Sequence, residues 1–524
     1  MGPKLSSHAF TRFWDVHAWS GVVAGLVLYI MFLAGGVTLF HEELAIWQEP
    51  LAQSAARAPE ALEPMLERAL SAKGSTPADL WFYPPKHGRG AARLSFEDGG
   101  RWVTAWVDPK TGRLVPERER LAGFLYSLHF LWHDLTGDWL YRLAGFLAVA
   151  LLLALVTGVL IHLKDMVRQF HQFRTQKSRR VLWSDLHKVV GVMGLPFQVM
   201  YAYTGAFIVL APLLLTTFAG PLFGGDGKRS EAALWGANAD GGAQPGLPSR
   251  HLSLDALAAR AKLVRPDVTL EYLHLTHHGR DNAVVELVGF DSGTPRARVD
   301  LTLQARDGAL LTDAVQAGAG AGTRRWIHGL HFAYFGGPTL RVLFFVLTLA
   351  GAATLISGNL VWLARRTKSR ANDVLARLTV GVGAGTWVAL GALFLASRVL
   401  PLDWGKRCAA EELTFVGALA LCIVWACKAR EHRVVWWQQF ALAAGLFLPV
   451  PLLAARWSDL GLFGAGPRWG PVAAVDGALL AVALVLGSGA LALRRVSARH
   501  AIEACSPKQG RAPGAALLAG GSDA

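Results

Sequence analysis

Long apolar runs alternate with polar segments along the chain. Eight runs are apolar enough to cross a bilayer: 18–40, 139–163, 189–216, 339–363, 378–397, 413–428, 436–455 and 472–493. A helix needs about 20 apolar residues to span the hydrocarbon core, so the pattern predicts a mainly α-helical membrane protein with about eight transmembrane helices. The first run is too long for the apolar part of a signal peptide and no small-residue cleavage pattern follows it, so we expect it to remain as an anchor.

Two long polar segments predict small α+β domains outside the membrane, at 42–122 and 250–316. Each contains a helical pattern, over 60–73 and 253–264, followed by three short strands. The second helix opens with Ser253, a residue type favoured at helix N-termini. The expected strands are 80–83, 91–96 and 102–107 in the first domain, and 268–275, 283–290 and 296–303 in the second.

The chain also contains an internal repeat. The matching stretches are FWDVHAWSGVVAG (13–25) with LWSDLHKVVGVMG (182–194), SLHF (127–130) with GLHF (329–332), and LVTGVLIHL (155–163) with LISGNLVWL (355–363). We therefore divide the chain into repeat unit 1 (11–168), repeat unit 2 (181–368), an appended four-helix membrane bundle (374–495) and a tail (496–524). Because each unit has two spans, both units enter the membrane in the same direction, as parallel repeats.

Composition and charge agree with this organisation. The chain is 52% hydrophobic and 17% charged, against about 25% charged residues in soluble proteins. Its formal charge of +14 comes from Lys and Arg clustered between spans, which is typical of membrane proteins and does not indicate a nucleic-acid partner. The basic segments follow the second, fourth, sixth and eighth spans, so we expect both termini in the cytoplasm and both domains on the opposite side of the membrane.

The repeat pairs four histidines. His17 matches His187 where one span of each unit begins, and His129 matches His331 in the two LHF motifs. Parallel repeats place equivalent residues at the same membrane depth, so we expect each pair to face across the repeat axis. Neutral imidazole is a good ligand for haem iron. The pairs therefore predict two b-type haems with axial ligands His17, His187, His129 and His331, and no catalytic residue is assigned.

Other roles for these histidines stay open. An interfacial histidine can cap a helix or lie among headgroups, and a chain of histidines can relay protons. A catalytic zinc ion would need three or four converging ligands, and the HExxH motif is absent. Further histidines lie close enough to replace one of the four ligands: His133, His162, His328 and His41.

One stretch resembles a known domain. VDPKTGRLV, at 107–115, follows a helix and strands and is similar to the end of a PepSY domain. With the two histidine-bearing span pairs, the chain resembles the PepSY-associated transmembrane family of bacterial inner-membrane proteins over about 11–368. That family includes iron-regulated membrane proteins and ferric-siderophore reductases that carry b haems. The resemblance implies an oxidoreductase of the inner membrane that passes electrons through two b haems to ferric siderophores in the periplasm, for iron uptake.

The electron donor is not encoded as a fused domain that we can identify. No GxGxxG stretch follows a predicted strand in a polar segment, so the donor is expected to be a membrane quinol or a cytoplasmic reductase. A non-redox alternative remains beside this one, because a fold alone does not establish a function. In that alternative the two domains bind peptides or an envelope partner and the spans form an anchored scaffold. A third possibility is transport of haem or an iron chelate.

Overall fold

We describe the fold from a computed structural model. The described residues are 6–49, 61–85, 91–116, 121–131, 137–162, 174, 179–227, 229–230, 232, 244–266, 268–291, 293–296, 298–313, 319–367, 369–456, 458–464 and 470–505. Within them, eight helices are long and apolar enough to cross a membrane. The predicted class, a mainly helical membrane protein with an extramembrane sheet, is therefore confirmed.

The elements follow one another in the order that the repeat predicts. The helices are α1 (Ser7–Thr38), α2 (His41–Gln48), α3 (Leu62–Lys73), α4 (Leu121–His129), α5 (Asp138–His162), α6 (Arg179–Met193), α7 (Leu195–Phe223), α8 (Leu254–Val264), α9 (Ala319–Phe332), α10 (Gly337–Arg365), α11 (Arg370–Gly383), α12 (Gly385–Val399), α13 (Arg407–Lys428), α14 (His432–Phe447), α15 (Val450–Ala454) and α16 (Pro471–Cys505). The strands are β1 (Asp79–Tyr83), β2 (Ala92–Asp98), β3 (Arg101–Val107), β4 (Leu114–Pro116), β5 (Thr269–Thr276), β6 (Val284–Phe290), β7 (Arg298–Gln304) and β8 (Leu310–Asp313).

The spans of the two repeat units form one bundle. Helix α1 packs against α5 and α10, α5 packs against α7, and α6 packs against α10. Small residues such as Ala24, Ala144 and Ala202 are buried where the helices meet, which lets the backbones approach closely. The third predicted span is divided in two at Gly194, because Pro196 lies in the first turn of α7 and has no N–H to continue α6.

Both extramembrane domains contribute to a single antiparallel sheet. Its strand order is β4-β3-β2-β1-β5-β6-β7-β8, so the halves join where β1 pairs with β5. In that pair Leu80 lies opposite Leu275 and Phe82 opposite Leu273. These four side chains are buried with residues of α3 and α8 in one apolar core. The two predicted domains are thus one body with a shared core.

Each half of the sheet has one strand more than the three we expected. The additional strands, β4 and β8, contain three and four residues, too few for an alternating pattern to be recognised. Strand β4 is brought back to β3 by the turn in DPKTG, where the Gly112 N–H donates to the Asp108 carbonyl at 2.8 Å. Gly112 has a φ of +72°, which glycine adopts without strain.

The appended bundle packs against repeat unit 1 at the end nearest the sheet. Helices α12 to α16 share an apolar core with α2 and α4. Trp47 of α2 and Leu121 and Leu125 of α4 are completely buried in it, beside Phe415 of α13. The last four spans therefore cover the short helix that precedes the LHF motif of unit 1.

Candidate functional site

The two ends of the span bundle differ, because the sheet lies at one of them. Helix α9 leads into Tyr334, whose ring lies 4.4 Å from the ring of Phe290 on β6. We call this end of the bundle the sheet side and the opposite end the far side. His331 on α9 and His129 on α4 lie on the sheet side, whereas His17 on α1 and His187 on α6 lie on the far side.

The far-side histidines face each other. The ring centroids of His17 and His187 are 6.1 Å apart. His17 Nδ1 lies 2.8 Å from the Ala154 carbonyl oxygen, and His187 Nδ1 lies 3.0 Å from that of Thr354. Ala154 and Thr354 immediately precede the matching stretches of the two units, so the repeat reproduces the hydrogen bond as well as the histidine. A carbonyl only accepts, so Nδ1 of each neutral ring carries the proton and Nε2 keeps its lone pair for a metal.

The sheet-side histidines form a second facing pair. The ring centroids of His129 and His331 are 6.0 Å apart. His129 Nδ1 donates to the Met31 carbonyl at 2.9 Å. His331 Nδ1 lies 2.8 Å from Thr204 Oγ1, which itself donates to the Met200 carbonyl at 2.7 Å. Since the hydroxyl has one proton and uses it there, it accepts from His331 Nδ1, and Nε2 is again left with its lone pair.

Four glycines that the repeat relates in pairs provide the space for the four rings. A Cβ at Gly158 would lie 3.1 Å from His17 Cε1, and one at Gly358 would lie 3.2 Å from His187 Cε1. A Cβ at Gly35 would lie 2.5 Å from His129 Cε1, and one at Gly205 would lie 3.5 Å from His331 Cε1. Each imidazole therefore packs against the backbone of a neighbouring helix at a glycine.

A cavity surrounds each pair. The far-side cavity is about 450 Å³ and mostly apolar, with Lys188, Arg365 and Arg366 among its lining residues. The sheet-side cavity is about 240 Å³. Its described lining residues carry no charged side chain, and three tyrosines supply polar groups: Tyr126, Tyr141 and Tyr201.

These features fit a bis-histidine haem at each end. Metal–imidazole bonds of about 2 Å would place the centroids of two rings that bind one metal ion about 6 Å apart, and this is the separation in both pairs. Apolar walls suit a porphyrin. The three far-side cations suit its carboxylates, because Lys and Arg pair with carboxylate groups.

The alternative ligands lie in less suitable positions. His328 Nδ1 is bonded to the Arg324 carbonyl of its own helix at 3.0 Å, and its ring stacks on Phe332. His41 contacts the ring of Tyr126, and His162 lines the far-side cavity. His133 lies outside the described residues. The described part of the chain contains no group of three or more His, Cys, Asp or Glu that could hold a metal ion.

Several site residues were not identified from the sequence. Thr204 holds the His331 ring, yet its position in the repeat gives no signal because unit 1 uses the Met31 carbonyl for the same purpose. Arg365 and Arg366 belong to the basic segment after the fourth span, and Lys188 follows the repeated histidine; nothing in either pattern indicates a cavity. Their place at the cavity follows from the packing of α6 against α10.

Comparisons with known proteins agree with this architecture. The sequence profile described as the PepSY-associated TM region matches residues 14–365, more than half of the chain. An uncharacterized protein of Pseudomonas aeruginosa is 30% identical over 277 residues, which cover 50% of this chain and 69% of that protein. The chain therefore belongs to the PepSY-associated transmembrane family.

Proposed function

We propose that this membrane protein holds two b haems and passes electrons from one side of the inner membrane to the other, where ferric siderophores are reduced for iron uptake. One observation carries the proposal. The span bundle has a facing histidine pair at each end, and in all four rings Nδ1 is hydrogen-bonded so that Nε2 is left for a metal. Haem bound between such pairs supplies one-electron chemistry at two depths of the membrane.

The residues of the chain have distinct tasks in this function. The carbonyls of Ala154, Thr354 and Met31 and the hydroxyl of Thr204 hold the imidazoles in one tautomer and orientation. His17 and Met31 are fourteen residues apart on α1, so the two sites lie roughly 20 Å apart along the helix axis. The apolar walls keep water away from both sites.

We assign the far side to the cytoplasm and the sheet side to the periplasm. Basic residues are concentrated at the far-side ends of the spans, including Arg365, Arg366 and Lys428, and such residues favour the cytoplasmic side. The donor is then a membrane quinol or a cytoplasmic reductase. Reduction to Fe(II) weakens the hold of hard oxygen ligands on the metal.

Haem spectroscopy of the purified protein tests the proposal. We expect a reduced-minus-oxidised b-type spectrum with two haems per chain. His129→Ala and His331→Ala should each remove one centre, and His17→Ala and His187→Ala should each remove the other. His328→Ala is the matched control, because that ring faces its own helix and both centres should remain.

Protein that contains no haem after expression with ample iron would contradict the proposal and favour the anchored scaffold. Reductase activity is tested separately in vesicles that enclose a quinol donor. We expect a ferric siderophore outside to release Fe(II), which an Fe(II)-specific dye detects. Uptake of the intact chelate without reduction would indicate transport instead.

A further inference from the structure

A group of buried polar side chains joins the appended bundle to repeat unit 1. We call these residues the capping cluster: Trp47 and Gln48 of α2, Arg398 of α12, Arg407 and Glu411 of α13, and Asp476 of α16. Each is at most 6% exposed. Buried charges are costly unless they are paired and hydrogen-bonded, so the contacts that satisfy them indicate what the cluster does.

Two members of the cluster bind the first turn of α4. Glu411 Oε2 accepts a hydrogen bond from the Leu121 N–H at 2.9 Å, and Gln48 Oε1 accepts one from the Ala122 N–H at 3.0 Å. The first amides of a helix have no partner within the helix. A carboxylate there is also favoured by the helix dipole. Glu411, which lies 290 residues away in the chain, thus caps α4.

The position of Glu411 is itself fixed within the appended bundle. Arg407 Nε donates to Glu411 Oε1 at 2.8 Å, and both side chains are 1% exposed. The same guanidinium donates to the carbonyls of Leu400 and Ser397 at the end of α12. The carboxylate therefore has a paired charge and one preferred orientation.

The position of Gln48 on α2 is fixed through its neighbour Trp47, which contacts two residues of the appended bundle. The indole N–H of Trp47 donates to Asp476 Oδ1 at 2.8 Å. Arg398 Nη2 donates to the Trp47 carbonyl at 2.6 Å, and its guanidinium carbon lies 3.3 Å from the centroid of the indole ring. Both caps of α4 thus depend on residues of the last four spans.

Helix α4 contains nine residues and ends at His129. Over so short a helix, a shift at the capped end displaces the imidazole at the other end. The equivalent helix of unit 2, α9, contains 14 residues. Both helices pack within the repeat, α4 against α1 and α9 against α7, but α4 also contacts α12 and α13 of the appended bundle. The appended bundle therefore acts on one histidine of the sheet-side pair.

We infer that Glu411 and Gln48 are positioning residues for His129, and that the appended bundle sets the properties of the sheet-side haem through them. The part of this inference that concerns the haem rests on the proposed function. The part that concerns the capping of α4 does not, and it is tested by hydrogen–deuterium exchange in haem-free full-length protein.

In that experiment Gln48→Met removes one cap without disturbing a charge, and Glu411→Gln removes the carboxylate. We expect each to raise the exchange of the peptide that spans 121–129 by roughly fivefold, the loss of one typical cap. Arg377→Ala is the matched control. Arg377 binds the carbonyls of Ala426 and Ala429 within the appended bundle, not α4, so the peptide should exchange as in the wild type. Unchanged exchange in both cap variants overturns the inference.

The second measurement uses haem-loaded protein. We expect both cap variants to shift the midpoint potential and the low-spin ferric EPR signal of the sheet-side centre, which the His129→Ala variant identifies. The far-side centre should not change. Altered exchange with no change in the sheet-side centre overturns the inference, as does an equal shift of both centres. Wild-type protein without haem would instead contradict the proposed function, while the exchange experiment would still report on the capping.

Discussion

At the scale of single residues, the sites depend on how closely two helices approach each histidine. Each of the four rings is hydrogen-bonded at Nδ1 and has a glycine beside it. The repeat reproduces the histidines and glycines, and on the far side it reproduces the distances between them, but on the sheet side it does not. The Cβ of an alanine would lie 2.5 Å from the His129 ring at Gly35 and 3.5 Å from the His331 ring at Gly205. Equivalent substitutions should therefore have unequal effects.

We predict that Gly35→Ala displaces His129 and lowers the unfolding free energy by about 1–3 kcal/mol, the usual cost of overpacking. Gly205→Ala makes an ordinary contact, so it should be neutral or stabilising by up to about 1 kcal/mol through helix propensity. Thermal unfolding in detergent measures both, without requiring haem. Equal destabilisation by the two variants would contradict the geometry.

At the scale of secondary-structure elements, the junction of β1 and β5 decides whether the extramembrane region is one body or two. His274 of β5 lies opposite Trp81 of β1, and their rings are stacked at 4.2 Å. His274 Nε2 lies 2.7 Å from Asp79 Oδ1, and Nδ1 lies 3.4 Å from Glu286 Oε2. Burial lowers the pKa of His274, but the hydrogen bonds to Glu286 and Asp79 outweigh burial and raise this pKa above its usual value.

This raised pKa predicts a pH-dependent junction. A histidine with a higher pKa in the folded state contributes its full stabilisation below the unfolded value of about 6.5, and loses it as pH rises through the folded value. We expect wild-type protein to unfold at a higher temperature than His274→Gln at about pH 5.5, and the difference to shrink toward pH 9, roughly two units above the unfolded pKa. A difference that grows as pH rises would contradict the assignment.

A pair of histidines, His251 and His278, also lies near the junction, and its contribution to stability has the opposite dependence on pH. Burial, with a smaller contribution from the charge of His251, lowers the pKa of His278 to about 4. Because the unfolded chain binds a proton at this histidine before the folded protein does, the folded protein becomes less stable as pH falls from about 6.5 toward about 4. Wild-type protein and the His274→Gln variant both contain His251 and His278, so the contribution of this pair cancels in the difference between their unfolding temperatures.

At the scale of the whole molecule, the described start of α1 lies away from the sheet, and α16 runs from its contact with Trp47 on the sheet side toward the same end. Helix α1 begins near the far-side histidine pair, and the eight candidate spans return the chain to that side. In the proposed orientation, the sheet lies on the periplasmic face of the membrane. In the proposed function, this orientation sets the direction in which electrons cross the membrane.

Cysteine labelling tests the direction. In a cysteine-free background, Thr76→Cys beside the sheet should react with a membrane-impermeant maleimide in cells whose outer membrane has been opened. His8→Cys at the start of α1 should react only after the inner membrane is also opened. Both positions are exposed in the structure, so burial does not protect either. Labelling of His8→Cys first would reverse the assignment of sides.

Much of this architecture can be predicted from the sequence, because the features concerned are local or repeated. Apolar runs of about the length that crosses a bilayer predict the eight spans, and strand alternation predicts six of the eight strands. The repeat directs attention to His17, His187, His129 and His331 before any contact is known. Each of these inferences uses residues close together in the chain, or two copies of one pattern.

Only the tertiary structure decides the rest, because it depends on contacts between distant residues that follow no period. The joining of β1 to β5, the acceptor at Thr204 and the cap that Glu411 places on α4 all link segments far apart in the sequence. The sequence also does not show which ring nitrogen of a histidine carries the proton. The fold determines that choice through the neighbouring helix, and with it whether Nε2 is left to bind a metal.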